Sequence, residues 1–263
     1  MASTRSEFQR PARVLVAGIL ISAIVRIAVP TAVAQTAQSV PFVGCAGDGQ
    51  AGPVAAASVS GASPRLPQSQ AAALAYYAFQ GVGVLAPQGW HCLAVYGSAA
   101  ETLFVTPEPH DSADLLAGNT KLFGPAVVIQ RISGDTSGRF EVAKLAARLF
   151  PAARSYVRDV IAEGIEPDID FIFAPYPDDI VHLVSSTVAE FTTPAGTDGL
   201  GTQGILAATD QPVTGVAIWL PSETHDMVLL TARLPPEAAG LTRTIATQTE
   251  RSDGSPKLVG RGS

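Results

Sequence analysis

Lysine is almost missing from this chain, with three residues in 263. Phosphate binding needs clustered Lys and Arg, so nucleic acid is excluded as a partner, and anionic membrane surfaces are disfavoured on the same ground. Histidine is limited to His91, His110, His182 and His225, and cysteine to Cys45 and Cys92, all scattered singly. Without an HxxxH or CxxC pair no zinc-ligand spacing exists, and neither a metal nor a cofactor is expected. Long apolar runs are missing too. The run from Val14 to Val25 stops at Arg26, short of the roughly 20 residues that a spanning helix requires. No stretch of the chain repeats another.

That short run is informative in another way. Arg5, Arg10 and Arg13 precede it, and "TAVAQ" follows with Ala32 and Ala34 at the small-residue positions before a cut. This is the layout of a signal peptide over residues 1–34, cleaved between Ala34 and Gln35. No twin arginine precedes the run, so general secretion is expected, and Cys45 lies too far from it to be a lipid anchor. Loss of Arg5, Arg10, Arg13, Arg26 and Glu7 leaves 13 basic and 22 acidic residues, a net charge of −9 on 229 residues. The mature chain is expected in the periplasm or outside the cell, with no stable membrane insertion after cleavage.

Residues 35–68 are rich in Ala, Ser, Gly, Pro and Gln, as in "GDGQAGPVAAASVSGASPRLPQSQ", and read as a low-complexity tether that buries too little to offset its ordering entropy. "RSDGSPKLVGRGS" at 251–263 reads as a disordered tail. Between them, 69–250 is expected to be one globular α+β domain. Ser69 caps a predicted helix "QAAALAYYAF" that stops at Gly81. Strands are predicted at "GVGVLAP", "HCLAVYG", "TLFVTP", "PAVVIQRI", "FIFAPY", "DIVHLVSSTVAEF", "TGVAIWL" and "DMVLLTARL", each bounded by Gly, Pro or Ser. In "RFEVAKLAARLF", Val142, Leu145, Ala146 and Leu149 share one helical face, and Tyr156, Val157, Val160 and Ile161 repeat that spacing up to Gly164. A last helix after "PPE" turns Leu241 and Ile245 inward. The turns are too brief for parallel crossovers, so a mainly antiparallel sheet with helices packed on one face is expected.

No catalytic constellation emerges. "GWHC" and "GDTSG" have the order of the histidine and serine motifs of a trypsin-like protease, but only 46 residues separate His91 from Ser137 and Thr136 interrupts the second motif. "GLGTQG" at 199–204 matches the letters of a dinucleotide fingerprint, yet Pro194 before it and Pro212 after it deny the strand and helix that fingerprint needs, leaving a mobile Gly/Thr loop. In "SGDTSG", Asp135, Thr136 or Ser137 is expected to cap the following helix. "EPDIDFIFAPYPDD" brings together Glu166 and the candidate binding carboxylates Asp168, Asp170, Asp178 and Asp179, without calcium-loop spacing, and solvated turn carboxylates are the simpler expectation.

The segments "PFVGCAGDGQAGP" and "GVLAPQGWHC" resemble a group of exported bacterial proteins of uncharacterised function. A "PQGW" strand start, a mid-chain helix and "VLLTARLPPE" leading into a terminal helix also resemble the PsbP-like superfamily. That resemblance implies an antiparallel sheet flanked by helices and a binding role. The expected function is therefore an exported, non-catalytic module that binds an envelope protein or a small ligand. The alternative is an extracytoplasmic hydrolase whose residues, with His91, Ser137 and the Asp168 to Asp179 carboxylates as candidates, are dispersed in sequence. Two cysteines in an oxidising compartment are expected to pair, so a Cys45–Cys92 disulfide is predicted, with His91 pointing to the opposite face of its strand.

Overall fold

The computed structural model describes residues 37–56, 63–118, 120–222 and 224–253. The expected signal peptide with its Ala34–Gln35 cut, and residues 254–263 of the expected tail, lie outside them. Among the described residues no helix is long and apolar enough to cross a membrane. The protein is of the α+β class, with mostly antiparallel sheets.

Seven consecutive buried residues make up the strand Met227–Arg233, β13 in chain order. An antiparallel strand usually alternates polar and apolar residues, so an unbroken buried run requires cover on both faces. β13 has that cover on both faces, and its edges are paired within an eight-stranded sheet. On one side of it follow β12 (Val213–Trp219), β11 (Val188–Thr193) and the edge strand β10 (Ile180–Leu183). On the other lie β9 (Ala126–Ile132), β8 (Ala100–Thr106), β7 (His91–Tyr96) and β3 (Ala46–Gly49).

One face of this sheet carries Leu103, Val105, Ile129, Val216, Val228 and Leu230. It is covered by a second sheet of β2 (Phe42–Gly44), β5 (Leu74–Phe79) and β6 (Val82–Pro87), and by helix α5 (Thr242–Asp253), which inserts Ile245 and Ala246. The alternate residues Ala189, Phe191, Ala217, Trp219, Met227 and Leu229 face the other way, onto α3 (Arg139–Leu149) and α4 (Arg154–Ala162). The expected sheet is thus present, but its helices divide between the two faces, because both alternating sets of residues are apolar.

Four elements correct the sequence expectations. The supposed tether is structured where it is described: β1 (Ala37–Ser39) pairs with β4 (Arg65–Pro67), β2 runs parallel to β5, and β3 runs parallel to β7. Its small residues are what that packing needs, since a Cβ on Gly47 would lie 2.4 Å from the Phe79 ring. The predicted helix at 69–79 is a single turn, α1 (Gln68–Ala71), followed by β5. Ala-rich propensity loses there to pairing on both edges and to Tyr77, whose hydroxyl donates to the Pro87 carbonyl and accepts from the Trp90 N–H. "FIFAPY" forms no strand, since Pro175 and Pro177 deny ladder donors and only Phe171 is buried. "DIVHLVSSTVAEF" is a hairpin rather than one strand, turned at Ser185–Ser186, where the Ser185 hydroxyl accepts from the Thr187 N–H. A short helix, α2 (Ser112–Leu116), capped by Asp111, was not anticipated.

The disulfide joins Cys45 and Cys92 with Cα atoms 5.5 Å apart. It ties the β2–β3 junction to β7. His91 is exposed and Cys92 packs partly buried against the core, so the two side chains diverge as strand alternation requires.

Candidate functional site

Thr102 on β8, Gln130 on β9 and Thr231 on β13 point to the same face of the sheet, among the apolar side chains of Phe104, Val128 and Leu229. The ladder brings them together, with Thr102 opposite Gln130, Gln130 opposite Leu229, and Thr231 opposite Val128. Among the described residues, none of these three side chains has a hydrogen-bond partner. They line a cavity of about 390 Å³ between the apolar cluster beneath α3 and α4 and a second cluster built on Phe104, Val128 and Leu206. That size is within the usual range for small-molecule sites.

The wall opposite the sheet is the "GLGTQG" loop and its continuation through Ile205 and Leu206. The loop is fastened, not mobile. Asp179 accepts from the Leu200 N–H at 2.8 Å and from the Thr193 hydroxyl at 2.6 Å, and that hydroxyl accepts in turn from the Gly201 N–H. Glycine is required at 199, where a Cβ would lie 2.1 Å from the Asp179 carboxylate. Leu200, Gly201 and Thr202 are buried as a result. On the far side, Arg233 is buried at the end of β13 and donates to the carbonyls of Leu122, Gly124 and Ala207, clamping the two loops beside Leu206.

Glu141, in the first turn of α3, closes one end of the cavity and is its only charged lining residue among those described. Glu141 is exposed at the mouth, and the protein packed around it raises its pKa above the ordinary carboxylate value, with Lys144 opposing and Glu166 adding to the rise. Lys144 is engaged elsewhere, in an ion pair with Glu166. A neighbouring depression, lined by Lys144, Arg148, Asp170 and Tyr176, shares Glu141 and Gln203 with the cavity. There the Tyr176 hydroxyl donates to Gln203 and Arg148 stacks on the Tyr176 ring at 3.9 Å.

The other candidate residues do not assemble into a site. Asp168 and Asp170 are exposed on a short 3-10 helix and Asp178 is exposed beyond it, whereas Asp179 is a loop fastener rather than a solvated turn carboxylate. No three His, Cys, Asp or Glu side chains among the described residues gather closely enough to hold a metal ion. His91 pairs with Thr106 at one end of β8, while Ser137 follows Ile132, which pairs with Ala100 at the other end. Six residues of strand, roughly 20 Å, separate them. Helix α3 is preceded by Gly138 with no side-chain cap, and Thr136 instead accepts from the Gly138 N–H within the loop. His225 stacks on Tyr156 at 4.3 Å, beside Trp219, and burial pushes the Tyr156 hydroxyl up to about 12.

A second concavity, of about 520 Å³, lies between α5 and β10 to β12. In it His182 faces Glu190 at 3.7 Å and Glu190 in turn engages Glu250, while Thr192 stands opposite Thr214 on the sheet side. Sequence reasoning missed Thr102, Gln130, Thr231 and Glu141, because each of the three strands carries a further polar residue, among them Glu101, Arg131 and Arg233, and only the register puts Thr102, Gln130 and Thr231 side by side. The site thus defines a class, an α+β protein with a mixed polar and apolar cavity on the face of its main sheet. Comparison with family models, curated proteins and solved structures returns no match to the chain.

Proposed function

We propose that the protein is an exported, non-catalytic module that binds a small ligand in the cavity beneath the 199–206 loop. One observation carries this reading: three polar side chains of the central strands face a cavity of about 390 Å³ with no partner of their own. Partly buried hydroxyl and amide groups without partners cost stability, and a ligand or ordered water supplies the missing bonds. Export to the periplasm or beyond, with cleavage at Ala34–Gln35, is supported by the signal-like N-terminus and by the disulfide. The likeness to PsbP-like proteins points the same way, toward binding. Exposed apolar side chains along 165–184, among them Ile165, Ile169 and Ile180, support an envelope protein as an additional partner.

The test replaces the polar row without filling the cavity. A Gln130→Leu, Thr231→Val variant is expected to keep the fold, to gain thermal stability because unpartnered polar groups are gone, and to lose a bound small molecule that native mass spectrometry detects on wild-type protein extracted mildly from its exported compartment. Wild-type protein that carries no adduct, together with a variant of unchanged or lower stability, would sink the proposal.

A further inference from the structure

We infer that the ligand carries an ammonium group, held by Glu141 at the junction of the main cavity and the depression beside it, with an uncharged hydrogen-bonding body lying along Thr102, Gln130 and Thr231. This rests on the small-ligand reading above and adds the chemical class. Three observations lead to it. The cavity has one charged lining group among the described residues, and it is a carboxylate. That carboxylate accepts no hydrogen bond from any described residue, because Lys144, one turn further along α3, is paired with Glu166. The remaining walls are aliphatic, aromatic, amide and hydroxyl, which suit a neutral body and offer no cation to an anionic one.

The nearby cations do not supply the missing donor. Arg148 lies over the Tyr176 ring and donates to the Ala174 carbonyl, and Lys121 at the rim donates to the Gly204 carbonyl. Asp170 and Glu166, on the other side of Lys144, add negative potential. An exposed carboxylate that takes no donor from the protein is open to a ligand that brings both charge and N–H groups, since charge-assisted hydrogen bonds are about twice as strong as neutral ones. Binding of an ammonium favours the ionised carboxylate, so affinity falls on acidification through the Glu141 pKa, which burial and Glu166 raise and Lys144 lowers.

Three probes matched in body and differing in head group decide the matter: tyramine (ammonium), tyrosol (alcohol) and 4-hydroxyphenylacetate (carboxylate), titrated by calorimetry against full-length mature protein. Tyramine is expected to bind about tenfold tighter than tyrosol at neutral pH, with the carboxylate weakest. That advantage should shrink below about twofold in Glu141→Gln and on acidification, and survive in Asp170→Asn, which removes a nearby charge outside the main cavity. Equal binding of all three, or a preference unaltered by Glu141→Gln, overturns the ammonium inference and leaves the cavity reading standing. Failure of all three to bind at millimolar concentration overturns both.

Discussion

A single carboxylate decides the shape of the cavity wall. Asp179 receives the Leu200 N–H and the Thr193 hydroxyl, and through Thr193 it also positions the Gly201 N–H. In Asp179→Ala these donors lose their acceptor in a partly buried place, at a cost of about 2–3 kcal/mol. Thermal denaturation should report this as a midpoint lowered by about 2–4 °C per kcal/mol for a domain of this size. Asp178→Ala, one residue earlier and exposed, should change the midpoint by less than about 1 °C. At this scale the sequence was only half legible. Adjacent aspartates in "YPDD" look alike, and only the returning 199–206 loop, brought close by glycine, separates the fastener from the solvated group. Cys45 and Cys92 were readable because a chain with two cysteines leaves one intramolecular pairing.

Helix α5 is held to the sheet across a pair of carboxyl groups, Glu250 on the helix and Glu190 on β11. Burial raises the Glu250 pKa above its ordinary 4.5, and Glu190 raises it further by charge and hydrogen bonding, while Arg243 and Arg251 oppose. His182 faces Glu190 from β10. A carboxyl raised in the folded state stabilises the fold while protonated, so its contribution is full below the unfolded pKa and is lost as pH rises through the folded one. Wild-type protein should therefore lose stability relative to Glu250→Gln between about pH 4.5 and neutrality, and match it in acid, as read from melting points across that range. Element types were legible where periodicity was long: α3, α4, β12 and β13 all lie where the pattern put them. β5 was not, because its alanines favour a helix in isolation and only pairing with β2 and β6 makes it a strand. The hairpin of β10 and β11 was hidden by a turn of serines within a β-branched run.

At the scale of the whole molecule, the N-terminal segment is part of the sheet and not an appendage. Cys45 is buried between β2 and β3, and the disulfide closes a loop of sequence separation 47. In the chain-entropy model such a loop stabilises the fold by about 4 kcal/mol. Reduction should lower denaturant stability by about that amount, and limited proteolysis of reduced protein should cut first within 37–56, the segment that the bond ties to β7. The composition of this segment hid its role, because glycines and alanines that look unable to bury surface are what a strand laid closely over Phe79 demands.

The position of β3 has a consequence for how copies of the chain treat one another. An open strand edge is a template on which other chains add, and it has to be guarded. One end of the eight-stranded ladder is the four-residue β10, which follows directly on Asp178 and Asp179. The other end would be β7, six residues of "HCLAVY", were β3 not laid along it, with Val54 bridged to the outer side of β3 through Gly47. The Cys45–Cys92 bond fastens that guard. A chain folded without the bond, as Cys45→Ser or in a reducing compartment, exposes an apolar edge long enough to recruit its own kind, and its light scattering should grow with concentration while the oxidised protein stays monodisperse. Oxidation of the two thiols thus governs the colloidal fate of the protein as well as its stability.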